Sequence, residues 1–260
     1  MSNPWLLPHW PGLPDNIGVL STTRRGGVSP APYDDGHGGG GLNLGTHVGD
    51  LPAQVAANRA LLRAALPADP LWLSQVHGTA VLNVAEADPR QVPEADACIA
   101  TAPGKVCVIM TADCLPVLFA DRQGKTVGAA HAGWRGLVSG VLENTVAAMR
   151  AAGAGELTVW LGPAIGPDQF EVGPEVRQAF LGEAGDAAGA QRVEAAFRAI
   201  AGKPGKYLAD IYALARARLQ GAGVTDVHGG EFCTASSAAR FYSYRRDGVT
   251  GRQASLIWLK

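Results

Sequence analysis

Apolar positions along this chain switch between the two-residue period of strands and the three-to-four-residue spacing of helices, and that switching predicts most elements. Residues 17–24 (IGVLSTTR) read as a β-branched strand entering a turn. Residues 24–45 form a long Gly-rich loop, of the kind compact domains keep for function or mobility. Asp50 is placed to cap a helix over 51–66, with Pro52 in its first turn. LWLSQVH (71–77) and AVLNVAE (80–86) read as strands around Gly78 and Thr79. From 96 to 131 strands dominate (DACIA, VCVIMTA, LPVLFAD, TVGAAHA), with a turn at 121–125. Leu137, Val138, Val141, Leu142, Val146 and Met149 make one apolar stripe, predicting a helix over 135–151. ELTVWLG (156–162) is a further strand, and residues 182–206 are weakly patterned. A helix over 207–220 turns Leu208, Ile211, Tyr212, Ala215 and Leu219 inward, and VTDVHGGEFCT and QASLIWL close the chain as strands around an Arg-rich turn.

Strands outnumber helices and fall in hairpin-like pairs, without regular βαβ alternation. A mixed-sheet α/β (α+β) arrangement is expected, not a doubly wound one. No repeat or linker divides residues 1–260, so a single domain is expected. A chain this long buries roughly 70–75% of its unfolded surface and needs no staples.

Composition narrows the function classes. A formal charge of −1 gives no broad polyanion-binding surface, so a nucleic-acid polymer is not an expected partner. No stretch approaches the ~20 continuous apolar residues of a membrane span. The N-terminal MSNPWLLPHWPGLP lacks the basic start and apolar run of a signal peptide, so a cytoplasmic location is expected. Four cysteines (Cys98, Cys107, Cys114, Cys233) fit reduced thiols better than a disulfide framework.

Three segments place a possible ligand beside small or turn-forming residues: SQVHG (His77), TADCLP (Cys114) and AAHAGWRG (His131). Each ends or interrupts a predicted strand, where a side chain can project into a cleft. Imidazole and thiolate suit zinc, and three protein ligands leave a fourth position open. The spacing matches no local pattern such as CxxC or HExxH, and each residue also reads singly as a strand-end histidine or a buried thiol.

Taken in order, STTRRGGVS, LNLGTHVGD, SQVHGTAV, EADACI, TADCLPVL, HAGWRGL, LGPAIGP, FEVG and FYSYRRDGVTGRQASLIW resemble the laccase-domain family, whose members have been called polyphenol oxidases, purine nucleoside phosphorylases and peptidoglycan editing factors. The resemblance implies mixed sheets stacked between helices (α/β/β/α) in one domain. It implies a metal held by His77, Cys114 and His131, with Zn2+ expected and Cu2+ the alternative. It implies phosphorolysis of purine nucleosides to base and ribose 1-phosphate, with adenosine deamination and methylthioadenosine phosphorolysis as side activities. The partners are then a purine nucleoside and phosphate, with the protein a monomer or homodimer. Two departures stand out. A Gly-rich insertion surrounds His37, and Asp168, Gln169, Ala235, Ser236 and Ser237 stand where relatives often carry cysteine.

Deamination needs a nucleophile that a metal can supply by acidifying water; phosphorolysis needs a held phosphate dianion. Arg24, Arg25, Arg135, Arg245 and Arg246 lie in the matching blocks, and Arg24, Arg135 and Arg245 are the expected phosphate holders. His47 is a candidate proton carrier and Asn43 a substrate contact. Asp113 and Glu171 are candidate carboxylates of the catalytic machinery, Asp113 alternatively orienting a ligand. Three rival readings accompany this one. They are a copper oxidase centre with Met110 as axial ligand, a metal-free hydrolase (including a peptidoglycan-precursor editing enzyme) with Cys114 as nucleophile, and a metal or nucleotide sensor without turnover. Six histidines without an HxH pair do not furnish a multicopper cluster.

Overall fold

The computed structural model describes residues 4–88 and 90–260. Residues 1–3, part of the N-terminal segment considered above for a leader, lie outside that description. Four strands make the first sheet, in the order β1 (Ile17–Ser21), β14 (Gln253–Leu259), β6 (Val106–Thr111) and β3 (Pro70–Leu71). Six make the second: β13 (Asp226–Gly229), β9 (Leu157–Leu161), β7 (Leu115–Asp121), β8 (Val127–Ala132), β5 (Ala97–Ala100) and β4 (Val81–Asn83). Both are mixed, with parallel pairs only at their edges. A small antiparallel sheet joins β10 (Glu171–Val172), β12 (Tyr207–Ala209) and β11 (Phe197–Ala199). The strand β2 (Arg25–Ser29) touches the loop after it through single bridges at Gly41.

The strands β5, β7 and β8 of the six-stranded sheet and β6 of the four-stranded one are buried along their whole length because both sheets are covered on both faces there. Side chains alternate between two cores, as the period of a strand requires. Cys98, Leu118, Ala120, Ala129 and Trp160 meet Cys107, Ile109 and Ile257 of the first sheet. Ile99, Val117, Phe119 and Val159 meet α3 (Val141–Ala151), α4 (Pro174–Gly182), α5 (Ala187–Ala195) and α6 (Ile211–Gly221). On the far side of the first sheet, Val106, Val108, Met110 and Leu256 pack against Leu62 of α1 (Pro52–Arg63). The result is the expected α/β/β/α layering, completed by the short helices α2 (Trp134–Val138) and α7 (Tyr244–Asp247).

Several local expectations change. Asp50 does not cap α1: Leu51 occupies that position without a side-chain cap, and the Asp50 carboxylate instead accepts from the Ser29 hydroxyl and the Asn43 amide. The helix over 135–151 is two helices, because Gly140 at φ 99° breaks the stripe between α2 and α3. The helix expected from 207 begins at Ile211, capped by Asp210, and Leu208 belongs to β12. The weakly patterned 182–206 region holds α5, capped by Asp186, and β11. Residues 71–77 are mostly irregular, with Leu71 in a ladder and Ser74 in an isolated bridge to Glu94, and of residues 80–86 only Val81–Asn83 form a strand before a turn.

The Gly-rich loop is anchored by Asn58 of α1, a fully buried amide. Its oxygen accepts from the Val28 N–H, and its nitrogen donates to the Ser29 hydroxyl and to the carbonyls of Gly41 and Asn43. Asn58→Ala strands those groups without water and is expected to cost about 2–4 kcal/mol in a denaturant titration. A loss below about 0.5 kcal/mol would show that the loop is held elsewhere.

Candidate metal centre

Three chain corners converge at one end of the gap between the two large sheets. Among the described residues, His77 (φ 62°) and Asp113 (φ 92°) are the only non-glycine positions with positive φ, and both belong to these corners. Left-handed backbone of this kind costs of order 1–3 kcal/mol per residue and persists only where surrounding bonds enforce it. Asp96 supplies that enforcement at the first corner. Its fully buried carboxylate accepts the backbone N–H groups of Val76, His77 and Gly78 at 3.1, 2.9 and 2.7 Å. The same carboxylate takes Nδ1 of His131, at the end of β8, at 2.8 Å. With Nδ1 so engaged, the Nε2 of His131 is the atom left to face a ligand.

The second corner carries Cys114. Asp113 pins it to the C-terminal segment, accepting from the Thr234 hydroxyl and from the Arg245 N–H, each at 2.6 Å. The Cys114 Sγ lies 3.7 Å from Nε2 of His77, and one ligand atom from each of His77, Cys114 and His131 lies within 4.8 Å of the others. Zinc bonds of 2.0–2.3 Å in a tetrahedral shell put such atoms roughly 3.3–3.8 Å apart, so the trio fits a cation with small side-chain adjustments.

A third corner leaves the space open. A Cβ on Gly133, just before α2, would sit 2.6 Å from Cδ2 of His77 and 3.1 Å from Sγ of Cys114. Its backbone (φ −61°, ψ 153°) is one any residue adopts, so glycine is required here for room alone. Gly133→Ala is therefore expected to fold normally and to bind metal roughly ten- to a hundredfold more weakly, read by competition with a chelating dye. Wild-type affinity in that variant would remove Gly133 from the argument.

Charge follows the same plan. Burial alone would push the Cys114 thiol up, but the charge of His131 and hydrogen bonds from His131 and His77 bring it down to about 6. Burial would push His131 down, yet the Cys114 charge and the Asp96 hydrogen bond hold it up at about 9. For Asp96, burial is outweighed by the His131 and Gly78 hydrogen bonds, and the carboxyl lies below its ordinary range. The shifts run toward a charged thiolate and imidazolium that stabilise each other, braced by a carboxylate.

The trio opens into a cleft of about 660 Å³ whose lining includes His47, Arg59, Trp72, Arg135, Tyr244 and Arg252. No carboxylate lines it among the described residues. His47 lies lower than an ordinary imidazole, through burial first and then the charges of Arg252 and Arg59.

The remaining sequence candidates are placed as follows. Arg135 lines the cleft, its guanidinium 4.5 Å from the Trp134 ring centroid. Arg24 and Arg245 do not line it. Arg24 is buried against Asp34 and the carbonyls of Asp34 and Ala238, while Arg245 donates to the carbonyls of Gln169 and Glu171. Arg246 donates to the carbonyls of Thr234 and Phe241, and Arg25 meets His37 of the Gly-rich insertion. Glu171 also stands outside the lining, paired with Lys203 at 2.7 Å. Asn43 is buried as a loop brace, bonding Gly45, Asp50 and the Arg252 N–H. Both Asp113 oxygens are committed to holding the Cys114 corner, and the residue does not line the cleft. Sequence reasoning missed Asp96, Arg59 and Arg252. Only Asp96 left a signal, a lone acid entering a fully apolar strand (DACIA).

The same geometry has relatives. The chain is 54% identical to a purine nucleoside phosphorylase of Pseudomonas aeruginosa, covering 99% of both chains. It is 51% identical to the purine nucleoside phosphorylase YfiH of Escherichia coli K12, covering 98% of both. Among solved structures, Neisseria meningitidis protein NMB0706 superposes with a TM-score of 0.87 at 48% identity, covering 99% of this chain and 100% of that one. YlmD of Geobacillus stearothermophilus gives 0.87 at 28% identity, covering 100% and 97%. The family model described as multi-copper polyphenol oxidoreductase laccase matches residues 18–260, a span that takes in all three converging corners, and the chain belongs to that family.

Proposed function

We propose that this protein is a zinc-dependent purine nucleoside phosphorylase, acting on adenosine, inosine and guanosine, with adenosine deamination and methylthioadenosine phosphorolysis as side activities. The observation that carries the reading is a His77–Cys114–His131 trio opening onto a cleft lined by guanidinium groups and, among the described residues, no carboxylate. Full-length relatives at about half identity that are named purine nucleoside phosphorylases support it.

His77, Cys114 and His131 would hold the zinc ion, which would supply Lewis-acid chemistry at the cleft. In phosphorolysis a phosphate oxygen bonds to C1′ of the ribose as the C1′–N9 bond breaks. The bonding pair leaves with N9, and the proton carried by hydrogen phosphate ends on the purine. Positive charge on the developing ribose needs the phosphate dianion held beneath it, and the half-buried guanidiniums that line the cleft are donors suited to that task. The exposed ring of Tyr244 on the rim offers a face for the purine. His47, held low, is neutral near pH 7, and its imidazole nitrogens can take and return a proton to the leaving base. Zinc is favoured over copper because two imidazoles and a thiolate are a donor set that zinc accepts; Met110, the candidate thioether, packs in the α1 core and also borders the cleft.

The test is elemental analysis of purified protein beside hypoxanthine release from inosine. About one zinc per chain and strictly phosphate-dependent release are expected. Metal-free protein with full turnover, or release indifferent to phosphate, would reject the reading. A second reading has a specific observation behind it, since Asp96–His131–Cys114 also has the form of a nucleophilic triad. Alkylation of Cys114 separates the two. A metal ligand is protected by bound zinc, whereas a free nucleophile reacts regardless of it.

A further inference from the structure

Arginines taken out of water ordinarily bring a counter-charge, because a desolvated charge without a partner is costly. The buried Arg24 is paired with Asp34, and the half-buried Arg218 with Glu143. The half-buried Arg59 and Arg252 have no ion-pair partner among the described residues. Both line the cleft. Arg59, on α1, lies 3.8 Å over the Trp72 ring and gives its Nε to the Leu44 carbonyl. Arg252, just before β14, gives one terminal nitrogen to the carbonyls of Thr250 and Gly251. Each guanidinium is thus fixed by neutral contacts, with donors left over. Burial pushes Arg59 down to about 10 and lowers Arg252 too, although the negative charges of Cys114 and Asp113 oppose the shift at Arg252. Both arginines act on His47 electrostatically, which puts the three groups in one neighbourhood.

We infer that Arg59 and Arg252, with His47 beside them, form the subsite that takes free inorganic phosphate as a dianion; the assignment of phosphate as co-substrate rests on the phosphorylase reading. Two preset forks and an imidazole surround a tetrahedral oxyanion without ordering any flexible side chain. The exposed Arg135 lies outside this subsite.

The experiment titrates inorganic phosphate alone into zinc-loaded protein by calorimetry, for wild type, R59Q, R252Q and R135Q. Phosphate affinity is expected to fall roughly ten- to a hundredfold in R59Q and R252Q and less than about threefold in R135Q. R252K keeps the charge but loses the fork, so an intermediate loss in that variant supports the subsite even where R252Q fails to fold. In turnover, R252Q is expected to raise KM for phosphate by a similar factor, with KM for inosine within about twofold. Phosphate binding that survives in R59Q and R252Q but disappears in R135Q would overturn the inference while leaving the phosphorylase reading intact. Adenosine 5′-phosphate competing more tightly than phosphate binds would assign the subsite to a nucleotide and overturn it as well. Arginine-dependent phosphate binding without any phosphorolysis would retain the subsite as an oxyanion site and reject the enzymatic reading.

Discussion

Cys114→Ala protein is expected to purify folded, with its metal affinity lowered on the order of a hundredfold or more and its phosphorolysis lost in parallel. The thiolate is the one anionic ligand of the trio, and two neutral imidazoles with open positions hold a divalent cation poorly. Its removal also leaves His131 without the charge that holds it at about 9. Folding should survive, because the Cys114 corner is pinned through its neighbour: Asp113 keeps its bonds to Thr234 and to the Arg245 N–H. Metal content by plasma mass spectrometry and turnover of inosine should therefore drop together. A variant that retains full zinc would dismiss Cys114 as a ligand, and one that retains zinc but loses activity would move it to nucleophile.

Asp96→Asn should be the more disruptive change, although it alters no ligand. Aspartate at this position accepts four hydrogen bonds, from three successive backbone N–H groups and from the His131 ring. An amide has a single acceptor oxygen, and its NH2 would face other donors in a place with no water. Breaking a buried charged pair of this kind costs about 3–5 kcal/mol, and loss of the carboxylate behind a metal-binding histidine costs roughly ten- to a hundredfold in metal affinity. The denaturation midpoint and the zinc affinity should both fall. Unchanged stability with unchanged metal would mean that the His77 corner holds its shape without Asp96.

Asp96 also marks how far sequence reasoning reached. His77, Cys114 and His131 were legible as candidates because each stands beside glycines or a proline at a predicted strand end, and the resemblance joined them into a set. Asp96 was not assigned a role, since a single acid before an apolar strand looks the same whether it caps a turn or braces an imidazole 35 residues away. Arg24 and Arg245 illustrate the converse. They lie in recognisable blocks, yet their guanidiniums are used up on Asp34 and on main-chain carbonyls, while Arg59 and Arg252 reach the cleft from a helix and a strand entry. Helix boundaries suffered for a local reason. The stripe over 135–151 is continuous in hydrophobicity, but Gly140 adopts φ 99° and splits it, and nothing in the apolar spacing registers a dihedral angle.

By itself the amino-acid order determined that the central strands are covered on both faces and offered three candidate ligands, which the family resemblance joined into a set. Runs that are apolar up to their last residue, such as VCVIMT and LPVLFAD, have to be covered on both faces, and two imidazoles with a thiolate define a donor set wherever they meet. Tertiary structure alone decided which polar side chains are already spent and which remain available to a ligand. That distinction depends on hydrogen-bond partners brought together from distant segments, whose identities no periodicity or neighbouring residue encodes.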